Sequence, residues 1–228
     1  METLFDNPLF DNHDAVLTAF WATIRLTVTS ALLSFVFGTL LAALRVSPVP
    51  VLRGVGTVYV NIARNTPLTL VLLFCSLGIS STLRLNFDVE DPSFNGYWFA
   101  VLGLTAYTSA FVCETLRAGI NTVPMGQAEA ARAIGLSFAQ SMRLVILPQA
   151  FRAVIAPLGS VLIALTKNTT VAAVAGYAEA AFIMKEMLYE STGGAIEIFL
   201  GFAAGFVVLT LPIGFLTGRL ARRLEIKR

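Results

Sequence analysis

Five long apolar stretches constrain this 228-residue chain more than any motif in it. They run roughly over 24–44, 55–79, 97–116, 154–174 and 196–220. A run of about 20 apolar residues, coiled as a helix, crosses the ~30 Å hydrocarbon layer of a bilayer. Composition agrees: 13% of residues are charged and 56% are hydrophobic, whereas a soluble domain carries about 25% charged residues. The expected fold is therefore an all-α polytopic membrane protein. A net charge of +2 supplies no basic field for nucleic acid. Cys75 and Cys113 lie inside apolar runs and read as small buried hydrophobes rather than as a disulfide. The first fourteen residues are acidic and lack the Lys or Arg of a secretory signal, so no cleavable leader is expected.

Charge fixes an orientation. With the N-terminus outside, the inner segments hold Arg45, Arg53, Arg117, Arg132, Arg143, Arg152, Arg219, Arg222, Arg223, Lys227 and Arg228, against only Arg84 and Lys185 outside. Glu2, Asp6, Asp11, Asp14, Asp88, Glu90, Asp91, Glu179, Glu186 and Glu190 all fall on the outer side. Basic residues concentrate on cytoplasmic loops, so five spans with the N-terminus out and the C-terminus in is the consistent topology. The expected layout is an external segment 1–23, one transmembrane domain 24–220, and a basic cytoplasmic tail 221–228.

Between the third and fourth stretches, residues 117–152 are alanine-rich and too regularly polar to span a membrane. This segment predicts two short cytoplasmic helices. The first starts after Pro124, passes through Glu129-Ala130-Ala131 and stops at Gly135. The second starts at Ser137, where Ser-x-x-Gln with Gln140 forms a capping-box pattern, and ends near Pro148, because proline disfavours helix at Leu147. Such a knob suits docking into a groove on a soluble partner. It also suits packing against the chain's own helix ends.

The order Glu129-Ala130-Ala131, Gly135, Val145-Ile146-Leu147-Pro148 resembles the EAA loop of ABC-importer permeases, with Val145 in place of the usual isoleucine. Further motifs are similar to the polar amino-acid uptake permeases: Ala106-Tyr107-Thr108-Ser109-Ala110-Phe111, Glu114, Arg117-Ala118-Gly119-Ile120, Gly126-Gln127, Leu147-Pro148-Gln149-Ala150, Lys167-Asn168-Thr169 and Arg64-Asn65-Thr66-Pro67-Leu68. The family often has Pro-Pro where this chain has Ala156-Pro157. The resemblance extends from about residue 15 to 220. It implies a type I ABC-importer permease in a bacterial cytoplasmic membrane, working with a second permease subunit, an ABC ATPase dimer and an extracytoplasmic amino-acid-binding protein. It further implies ATPase coupling through Glu129, Ala130, Ala131, Gly135, Leu147 and Pro148. Within the family the chain looks most like actinobacterial-type glutamate importers, and glutamate is the expected solute. No G-x-x-x-x-G-K-[ST] occurs, so no cofactor is expected on this chain; ATP and Mg belong to the partner ATPase.

Ionisable groups inside spans are rare and need explaining. Arg64 precedes Asn65-Thr66-Pro67, a poor helix interior whose break is tolerated where it lines protein or water. Lys167 lies about 20 Å along a helix from Val154 and opens a polar island with Asn168, Thr169 and Thr170. The expected pathway residues are Arg64, Thr66, Glu114, Lys167, Asn168 and Thr169. Lys167 or Arg64 would meet a substrate carboxylate and Glu114 an ammonium. Glu114 and Arg117, three apart on one helix, can instead neutralise each other, and Arg64 can equally be a structural partner for a neighbouring helix. In the family often only one of two paired permeases holds a substrate site. His13 is the only histidine, so neither a histidine metal site nor a Ser-His system is expected. The rival readings are an importer of another solute such as an opine or peptide, an intramembrane enzyme using Ser160 and Lys167, and a passive channel.

Overall fold

The computed structural model describes residues 8–88, 90–191 and 194–224. Glu2 and Asp6 of the acidic N-terminal segment, and Lys227 and Arg228 of the basic tail, lie outside the described residues. The elements in order are α1 (Pro8–Asp11), α2 (His13–Val46), α3 (Pro50–Asn65), α4 (Leu68–Leu73), α5 (Pro92–Asn121), α6 (Met125–Ala133), α7 (Phe138–Ser141), α8 (Leu147–Asn168), α9 (Ala180–Glu190) and α10 (Ala195–Leu224). Four helical stretches are long and apolar enough to cross a membrane: His13–Val46, Pro92–Asn121, Phe138–Ala175 and Ala195–Leu224. The pair Pro50–Asn65 and Leu68–Thr82 is apolar enough to supply a fifth crossing when counted as one broken span; its halves turn by 106° at Thr66-Pro67. Proline supplies no N–H and cannot continue the α3 ladder, so the break falls where the sequence places it.

Helices α2 and α5 form the centre of the bundle. On α2 the buried positions include Thr23, Thr27, Ser30, Ser34, Gly38 and Ala42, spaced three or four apart on one face. Small side chains let two backbones approach where lipid supplies no hydrophobic drive between helices. A Cβ at Gly38 would stand 2.6 Å from Val112 Cβ and 2.8 Å from the Ser109 carbonyl. Leu26, Leu72, Phe99, Leu104 and Leu165 fill the adjoining core between α2, α4, α5 and α8. Cys75 and Cys113 are buried free thiols, as the sequence implies.

Near the start of α5, Arg25 lies 5.6 Å from the centre of the Tyr97 ring, and Tyr97 packs on Tyr177 with centroids 5.3 Å apart. Glu179 is fully buried and caps α9, accepting from the Ala181 N–H at 2.9 Å and the Phe182 N–H at 3.0 Å. Burial pushes its carboxyl up to about 7, against the opposing pull of these two backbone bonds.

One expectation fails. The second loop helix does not end near Pro148. It runs from Phe138 through a π-helical stretch, Met142–Ile146, directly into α8. A proline in the first turn of α8 loses no bond that an α-helix start would have made. The wider π turn before it relieves the clash that the ring would make with an upstream carbonyl. Gln149 Nε2 donates to the Val145 carbonyl at 2.9 Å, satisfying an acceptor in that turn. The fourth span therefore starts well before Val154, and Lys167 lies twenty residues beyond Leu147, roughly 30 Å along the axis.

Candidate functional site

Glu114 sits on α5 where the ends of α2 and α3 converge. Its carboxylate takes a hydrogen bond from Arg45 in the last turn of α2, a second from Arg117 at 2.9 Å, and lies 3.8 Å from Arg64 Nη1 in the last turn of α3. The Arg45 side chain keeps 11% of its exposure and Glu114 20%, whereas Arg64 keeps 45%. One carboxylate thus faces three guanidiniums, leaving a local excess of two positive charges. Among the described residues, Arg117 Nε is buried with no hydrogen-bond partner.

Arg64 also reaches across to α5, with its guanidinium 5.7 Å from the centre of the Phe111 ring. Phe111 lines an open cavity of about 390 Å³ between α5 and α8, with Tyr107, Ser160, Val161, Ala164 and Asn168 among its walls. The spacings 107–111 and 160–164–168 put each set on one helix face. A cationic group over an aromatic wall, next to a hydroxyl and an amide, is a setting for a small zwitterion or anion.

The other expected pathway residues are placed differently. Thr66 Oγ1 donates to the Ile62 carbonyl at 2.8 Å, and Asn65 Nδ2 donates to Asn61 at 2.7 Å. The Thr66 bond satisfies a carbonyl freed where α3 ends. Thr169 is fully buried and donates to the Thr166 carbonyl at 2.7 Å, at the switch from α8 to the 3₁₀ turns Thr169–Ala175. Lys167 is exposed and, among the described residues, joins no ion pair. Among the described residues no group of His, Cys, Asp and Glu could hold a metal ion.

At the far end of α5 lies the glycine bend. Helix α6 closes with Gly135 at φ +90°, its N–H bonded to the Arg132 carbonyl at 3.0 Å and the Leu136 N–H to Ala131 at 3.1 Å. This is the paired closure of a Schellman motif. Ser137 and Gln140 then make both bonds of the capping box. Ala131 is buried, Glu129 and Ala130 are exposed, and Met125, Ile134 and Phe138 stand out at 75%, 79% and 56% exposure.

Residues 34–226 match the family described as binding-protein-dependent transport system inner membrane component. The chain belongs to this family. It is 52% identical to the glutamate transport system permease protein GluC of Corynebacterium efficiens, over 96% of this chain and 97% of that one. It is 34% identical to the probable glutamine ABC transporter permease protein GlnM of Bacillus subtilis, over 95% and 96%. A solved amino acid ABC transporter with histidines superposes with a TM-score of 0.84 at 27% identity, covering 94% of this chain and 96% of the other. The MetNI methionine ABC transporter, at 22% identity and a TM-score of 0.74, shares the fold. This inner membrane component is accordingly a permease subunit of an ABC importer.

Within the permease, two features escape the sequence argument. Arg45 counts there only as an inner-loop charge, yet it is the most buried partner of Glu114. Its position at the end of α2, with Glu114 near the same end of α5, was the available signal. Met125, Ile134 and Phe138 pass as ordinary loop-helix residues; three large apolar side chains flanking one glycine bend were the clue to an unpartnered face.

Proposed function

We propose that this permease forms one half of the translocation path of a glutamate importer, with its N-terminus outside and its C-terminus in the cytoplasm. The observation that carries the solute is the 52% identity, over nearly the full length of both chains, to a glutamate transport permease. The excess positive charge around Glu114 and the Arg64–Phe111 edge of the cavity suit a solute with more carboxylates than ammoniums. Arg64, Thr66, Glu114, Lys167, Asn168 and Thr169 are the proposed pathway residues. Asn168 lines the cavity and Arg64 stands over its Phe111 wall, while Thr66 and Thr169 support two breaks in the helical backbone.

The bend formed by Glu129, Ala130, Ala131 and Gly135, with Met125, Ile134 and Phe138 around it, docks the ATPase; Leu147 and Pro148 continue it into α8. ATP and Mg are bound by that partner, a second permease completes the path, and an external binding protein delivers the solute. The chain has no catalytic site of its own. The test is uptake of labelled glutamate by the assembled transporter in proteoliposomes, with glutamine, an opine and a dipeptide as competitors. Glutamate should be taken up and should compete best; preference for another solute would overturn the assignment.

A further inference from the structure

The last turns of α10 carry Arg219, Arg222 and Arg223, which with Phe215 line an open cleft of about 480 Å³. The Arg219 guanidinium lies 5.3 Å from the centre of the Phe215 ring, which holds it in place over the cleft. Among the described residues no carboxylate pairs with any of the three arginines. Neither the solute path nor the docking bend uses them. Val208, Leu211 and Phe215 are exposed at 68%, 66% and 58%. Positions 208, 211, 215, 219 and 222 follow one another at helical spacing, so a single α10 face is apolar along its length and cationic at its end. The opposite face, with Gly214 and Thr217, packs towards Ile163 and Gly159 of α8.

We infer that this face is a binding site for an anionic phospholipid, its phosphate held by Arg219, Arg222 and Arg223 and its acyl chains laid along Val208, Leu211 and Phe215. Guanidiniums bind phosphate oxygens in pairs of parallel bonds. A free phosphate would use the arginines alone; a phospholipid uses them and also lies along an apolar face that the bilayer already bathes in acyl chains. Basic clefts at the ends of membrane helices attract anionic headgroups. That the lipid belongs to the inner leaflet rests on the orientation proposed above; the binding itself does not.

The test is native mass spectrometry of the assembled, detergent-solubilised transporter titrated with dioleoyl phosphatidylglycerol, beside dioleoyl phosphatidylcholine and inorganic phosphate. The arginines are exposed, so R219Q/R222Q/R223Q leaves the fold intact. Phosphatidylglycerol should bind the unaltered protein on the order of tenfold to 100-fold more tightly than phosphatidylcholine. The triple Gln variant should lose that preference and R219K/R222K/R223K should keep most of it. Equal binding of the two lipids, or an unchanged preference in the Gln variant, overturns the site. Displacement of the lipid by phosphate at equal concentration would show that the cleft reads phosphate alone. Loss of the ATPase from the Gln variant, with lipid binding unchanged, would assign the arginines to an acidic protein surface instead. None of these readings involves transport, so a wrong solute leaves the result standing.

Discussion

Glu114 is held by guanidiniums from α2, α3 and α5, so removing its charge acts on three helices together. Glu114→Gln should lower the yield of assembled complex. Breaking a buried ion pair costs roughly 3–5 kcal/mol, and the low end applies because Arg64 and Arg117 keep contact with solvent. Unchanged thermal stability by fluorescence melting would place the network outside the fold's support. Lys167→Met is the contrasting case. Its side chain is exposed, so complex yield should be normal while glutamate-driven ATP hydrolysis falls. The loss of one charge-assisted bond, roughly 1.5–3 kcal/mol, corresponds to about a 10- to 100-fold weaker response. Normal hydrolysis would remove Lys167 from the path. At this scale the sequence shows which ionisable groups are out of place in a span, but not which of them meet. The Glu114–Arg117 pair was legible because three residues along one helix is a local rule. Arg45 was not, because its contact with Glu114 depends on how α2 packs on α5.

At the scale of elements, both ends of the glycine bend were readable, since a Schellman glycine and a capping box are written in adjacent residues. The run from α7 into α8 was not, because a π turn leaves no residue signature and a proline reads locally as a stop. Gly135→Val has room for its side chain but must hold φ near +90°, a strain of roughly 1–3 kcal/mol. It should insert normally, lose ATPase on co-purification and lose transport; wild-type uptake would exclude the bend as the docking point. Gly38→Val meets the Ser109 carbonyl and Val112 instead. Overpacking there should cost about 1–3 kcal/mol and show as a lower melting temperature. On α9, Glu179 titrates near 7 when folded and lower when unfolded. Between those values the unfolded chain holds fewer protons, so stability should decline as pH rises from about 4.5 towards 7 and then level off. Glu179→Gln should flatten this part of the melting profile; an unaltered slope would assign it to other groups.

For the whole molecule, the five apolar runs were enough for the fold class, because span length is set by the bilayer rather than by tertiary contacts. The 106° bend between α3 and α4 was visible only as a break, not as an angle, since proline stops a helix without aiming the next one. Reporter fusions near residues 12, 88, 130 and 224 should read out, out, in, in. A cytoplasmic signal near residue 88 would exclude five crossings. The absence of a stop at Pro148 has a mechanical consequence. Helical backbone runs unbroken from Phe138, beside the glycine bend, to Ala175, passing Ser160, Ala164 and Asn168 on the cavity wall. From Phe138 to Ser160 is roughly 33 Å along the axis. A tilt of about 5° at the foot of so long a lever would carry the cavity wall sideways by roughly 3 Å, about the width of a water molecule. Movement of an ATPase docked at the bend, as proposed, would reach the cavity wall through one stiff arm, with no relay of side chains in between.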